Sequence, residues 1–65
     1  MQKYKELPMI RIARGQIWRN KKTGELREVF GTQGAVAHTR ILGNKQGLAH
    51  KIRKKDLWIY WEKAG

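Results

Sequence analysis

The chain has 65 residues and carries 15 lysines and arginines against five acids, a formal net charge of +10. That length sets one domain near the lower limit for folding on an apolar core alone, and the absence of cysteine excludes disulfides and thiolate metal sites. A positive excess of this density makes a polyanion the default partner, nucleic acid above all, and no apolar run approaches the ~18–20 residues of a membrane span.

Residues 1–14 read as a polar arm, interrupted by Pro8, in which only Met9-Ile10-Arg11-Ile12-Ala13 has strand character. Lys3, Lys5 and Glu6 break up any apolar stretch there, so no secretory signal is expected and a cytoplasmic location is the simplest reading. Residues 15–65 are expected to form one folded unit with regular glycine punctuation. Residues 16–19 predict a first strand, followed by a turn over 20–24 in which Gly24 takes positive φ. Residues 25–30 predict a second strand, 31–34 a turn, 35–42 a third strand, 43–47 a turn and 48–53 a fourth strand. Arg53-Lys54-Lys55-Asp56-Leu57 suits a single 3₁₀ turn, and the aromatic, β-branched run Trp58-Ile59-Tyr60-Trp61 suits a closing strand. The expected fold is therefore all-β: a small barrel of about five antiparallel strands whose closure removes exposed edges.

Three features point further: Arg14-Gly15-Gln16-Ile17-Trp18-Arg19 as an opening strand, the glycine-punctuated hairpins, and Lys51-Ile52-Arg53-Lys54-Lys55-Asp56-Leu57 at the end. Over residues 14–63 the chain resembles the SH3-like barrels of small basic proteins of bacteria and their phages, the KOW type included. The resemblance implies a barrel that binds nucleic acid, as many such proteins do, or peptides, as others do.

A binding face can be argued from residues 35–53, because a one-residue slip in register exchanges the two faces of a strand. Pairing Gly43 with Leu48 gathers Ala37, Thr39, Ile41, Leu48, His50 and Ile52 on one face. His38, Arg40, Lys51 and Arg53 gather on the other, with Arg40 opposite Lys51 and His38 opposite Arg53. Like charges placed opposite each other destabilise a sheet, and a phosphate between them reverses the sign of that effect. Lys21, Lys22, Lys45, Lys54 and Lys55 extend the same field. The competing reading is that these long cations simply fan into water and keep the protein soluble.

Trp18 and Phe30 are expected in the core of so small a domain. In the closing strand Trp58 and Tyr60 point one way, Ile59 and Trp61 the other, and only one pair can fill the interior. The other is covered by the arm, stacks unpaired bases or forms a protein interface; all three remain open among Trp58, Tyr60 and Trp61.

Nothing argues for catalysis: the five acids are scattered, serine is absent, and no phosphate-cradling glycine loop leads into a helix. His38 and His50 fall on opposite faces, so neither a metal nor another cofactor is expected. The chain reads as a binding protein. Its leading partner is nucleic acid, duplex DNA ahead of RNA, recognised mainly through backbone and shape. The alternative is an adaptor docking on an acidic protein surface, and a structural subunit of a nucleoprotein assembly is a third reading. Monomer and homodimer both fit.

Overall fold

The computed structural model describes residues 9–44 and 46–65. It contains five antiparallel strands and one short helix, in the order β1 (Ile17–Asn20), β2 (Leu26–Gln33), β3 (Val36–Ile41), β4 (His50–Arg53), α1 (Lys54–Tyr60) and β5 (Trp61–Lys63). The strands form one curled, half-barrel sheet in the order β4-β3-β2-β1-β5. The expected all-β meander is thus the observed one, and the last strand returns to pair with the first.

Local chemistry explains the first two turns. Between β1 and β2, Asn20 Oδ1 accepts from the backbone N–H groups of Lys22 and Thr23 at 2.8 and 3.0 Å. Gly24 closes that turn at φ 81°, as its position predicts. Between β2 and β3 the turn is tighter than expected. Gln33 pairs with Val36, which leaves Gly34 and Ala35 as a two-residue loop, and Gly34 at φ 59° supplies the positive φ a type II′ hairpin needs at its first loop position. The residues expected as turn, Gly31 to Gln33, are strand, because a bulge between Val29 and Gly31 bends β2 and lets it run on.

The inner face is filled by Trp18, Val29, Ala37, Leu57 and Trp61, with Ile12 from the segment before β1 and with Thr39. Arg27 is also buried there, 7 % exposed, paired in register with Trp18 and held by Glu25 through Nη2 at 2.8 Å. Thr39 satisfies its hydroxyl by donating to the His50 carbonyl at 3.0 Å, which ties β3 to the start of β4.

The end of the chain departs from expectation. The 3₁₀ turn is a seven-residue α-helix that takes in Trp58, Ile59 and Tyr60, and only Trp61 of the aromatic run is strand. A strand would send Leu57 and Trp58 to opposite faces. In the helix they lie about 100° apart, so Leu57 is fully buried and Trp58 packs against the same core. Asp56 in the first turn favours the helix through its dipole.

Candidate nucleic-acid interface

The hairpin β3–β4 places the predicted cations. Its observed register pairs Val36 with Arg53, Ala37 with Ile52, His38 with Lys51 and Thr39 with His50. This is two residues away from the expected pairing. A shift of two keeps every side chain on its face, so His38, Arg40, Lys51 and Arg53 share the outer face as expected. The partners change, however. His38 stands opposite Lys51, and Arg40 lies beyond the end of β4 and opposite Glu28 of β2. The expected juxtaposition of Arg40 with Lys51, and of His38 with Arg53, does not occur. The cause is a long connection between Ile41 and His50, stabilised by the Thr39–His50 hydrogen bond and by Leu42 N–H donating to the Leu26 carbonyl at 3.2 Å.

Ladder alternation sharpens the geometry. Lys54 N–H donates to the Ala35 carbonyl at 2.8 Å, in the same register as the β3–β4 pairs. Hydrogen-bonded pairs alternate in an antiparallel ladder, so Ala37/Ile52 and Thr39/His50 exchange main-chain bonds, and His38/Lys51 is a non-bonded pair with Cα atoms about 4.5 Å apart. His38 and Lys51 therefore approach more closely than the residues on either side.

Arg40 is set by an aromatic neighbour. Its guanidinium lies 4.1 Å from the Phe30 ring centre, and the His38 ring is tilted on the same phenyl group at 6.0 Å. Phe30, expected in the core, is instead half-buried on the outer face, because it alternates with the buried Val29 before the bulge. A cavity of about 270 Å³ beside it is lined by Arg14, Glu28 and Arg40. Nothing in the sequence spacing brings Arg14 next to Arg40; the fold does.

Beyond Arg53 the basic surface continues onto α1. Arg53, Lys54 and Lys55 line a cleft of about 370 Å³ with Ala35 and the half-buried Trp58. Arg53 Nε donates to Asp56 Oδ2 at 3.2 Å, which steadies its guanidinium at the helix start. The described lysines make no ion pair with a described acid, whereas Arg19, Arg27 and Arg53 each hold one.

The loop lysines do not all join this face. Lys21 Nζ donates to the Ile59 carbonyl at 3.2 Å, and its backbone N–H to the Tyr60 carbonyl at 3.0 Å. It supplies the cation that α1 lacks in its own last turn. Lys22 is exposed in the β1–β2 turn, and Lys45 lies outside the described residues.

Among the aromatics, Trp61 is buried and Trp58 donates its indole N–H to the Ile10 carbonyl at 2.8 Å, so the segment before β1 covers one side of the helix. Tyr60 is 60 % exposed. The alternation expected for a strand, Trp58 and Tyr60 against Ile59 and Trp61, is replaced by helical spacing. Gln16, passed over in the sequence, organises this segment: it accepts from Ala13 N–H and Trp18 Nε1, both at 3.1 Å, and donates to the Arg11 carbonyl at 2.8 Å.

No group of three histidines, cysteines, aspartates or glutamates among the described residues could hold a metal, and no described helix is long and apolar enough to cross a membrane. Comparison with protein-family models, curated proteins and solved structures finds no match to this chain.

Proposed function

We propose that this protein binds nucleic acid, duplex DNA foremost, through the outer face of β3 and β4 and the start of α1. The observation that carries the reading is the face itself. His38, Lys51 and Arg53 crowd one side of a two-stranded ladder, Arg40 stands at its end on Phe30, and Lys54 and Lys55 follow without a break. Lys51, Arg53, Lys54 and Lys55 are like-charged neighbours along this surface, and phosphates laid along it are attracted by all of them together.

Recognition is of backbone and shape rather than base sequence, since the face offers no helix long enough to read a groove. Two observations favour duplex over single strands: Trp61 is in the core, and the Trp58 indole N–H is engaged by Ile10. Stacking bases on a row of aromatics, as single-strand binders do, finds little surface here. The strand order fits an SH3-like reading of the fold, and a cytoplasmic setting goes with the same proposal.

The test is a double variant, Arg40→Ala with Lys51→Ala, titrated against a short labelled duplex at low salt. Its affinity should fall by at least tenfold with the circular dichroism spectrum unchanged, given about 1.5–3 kcal/mol for each hydrogen bond to a charged group. Unchanged affinity in the folded double variant assigns the face no part in binding.

A further inference from the structure

The half-barrel is open on one side, and the opening has a specific character. β4 is the edge of the sheet, and a groove of about 540 Å³ runs beside it, lined by Lys51, Ile52 and Arg53 together with Asn20, Tyr60 and Trp61, and by Asp56, whose carboxylate is held by Arg53. Consecutive residues of a strand project to opposite faces, so a groove that meets Lys51, Ile52 and Arg53 in succession meets the strand along its edge. The register derived above says which backbone groups lie there. Ile52 and His50 turn their N–H and C=O groups to β3, so the Lys51 N–H and carbonyl and the Arg53 N–H point outward along the groove.

We propose that this edge takes an extended acidic peptide as an added strand, a binding site separate in mechanism from the nucleic-acid face. Three observations select that occupant. The Lys51 carbonyl calls for an N–H donor placed beside an acceptor, which a peptide backbone supplies and a phosphate backbone does not. Side chains of an added strand alternate, so every second residue joins the outer face beside Lys51 and Arg53, where an acid complements them. The intervening residues turn inward to a mixed lining, Ile52, Tyr60 and Trp61 beside Asn20 and Asp56, which accepts small apolar side chains such as valine next to the aromatic rings. A second copy of this chain is disfavoured by the same cations: antiparallel self-pairing centred on Ile52 sets Lys51 opposite Arg53 twice over.

The experiment uses a fluorescein-labelled peptide of about six residues, alternating valine and glutamate, a length typical of a strand, and reads anisotropy at low salt. Lys51→Ala and Lys51→Pro remove the same charge, but only Lys51→Pro removes the outward N–H; because that N–H takes no part in the ladder, proline leaves the β3–β4 bonds in place. Binding should weaken severalfold in Lys51→Ala and by about a further tenfold in Lys51→Pro, the loss expected when a main-chain hydrogen bond and the fit of the added strand go together. Amide exchange on the wild-type protein reads the same site without any substitution: peptide should protect the Lys51 and Arg53 amides and leave Ile52 unchanged. Equal affinities of the two variants, absence of saturable binding, protection located elsewhere, or protection of Lys51 and Arg53 that grows with protein concentration alone would each overturn the proposal.

Discussion

The side-chain carbonyl of Gln16 accepts the indole N–H of Trp18 at 3.1 Å and, at the same distance, the backbone N–H of Ala13. One amide thus satisfies the donor of the largest buried side chain and fastens the incoming segment to the sheet. Gln16→Ala should cost about 1–3 kcal/mol, the penalty for orphaning a buried donor. Gln16→Glu keeps the acceptor oxygen for Ala13 and Trp18 but sets its second oxygen against the Arg11 carbonyl, so it should fall between alanine and wild type. Thermal or urea unfolding of the three proteins checks the order.

Leu57 is the one fully buried residue of α1 and joins the helix to the sheet. Leu57→Ala should remove about 2–5 kcal/mol, as for other buried leucines. A domain of this size holds only ~3–5 kcal/mol in total, so the variant should be largely unfolded by circular dichroism at room temperature. A cooperative transition close to that of wild type would show that α1 contributes little to the core.

The free protein should become more stable as salt is added. With a net charge of +10, its cations repel one another. Raising ionic strength from about 0.01 M to about 0.15 M shortens the Debye length from ~30 to ~8 Å and screens most of that repulsion. Calorimetry should show Tm rising with sodium chloride; a fall would mean that the ion pairs of Arg19, Arg27 and Arg53 outweigh the excess charge.

Much of the fold was legible because glycine and asparagine mark the turns and strand alternation marks the faces. Even an expected register two residues off kept His38, Arg40, Lys51 and Arg53 together, since side-chain direction repeats every second residue. What a single strand pattern could not show was who stands opposite whom. The Thr39–His50 bond and the bulge at Phe30 decide that, and both depend on contacts between strands. The helix was hidden for a different reason. Trp58, Ile59 and Tyr60 favour strands by propensity, and the packing of Leu57 and Trp58 on one core overrides it. Arg27 and Gln16 look like ordinary polar residues until their burial and their partners are known.

Individual contributions to the basic face can be separated by their salt dependence. Arg40→Ala and Lys51→Ala should each flatten the dependence of duplex affinity on salt by about one unit of slope, while Lys63→Ala on the far edge strand should change it much less. Equal effects at all three positions would point to diffuse attraction rather than a docking face.

The most direct measurement is the salt dependence of the wild-type protein on short duplex DNA. Contact with about five phosphates gives a plot of log affinity against log salt with a slope of roughly −4 to −5. A slope near zero, or no complex at low ionic strength, would contradict the assignment of this face to nucleic acid.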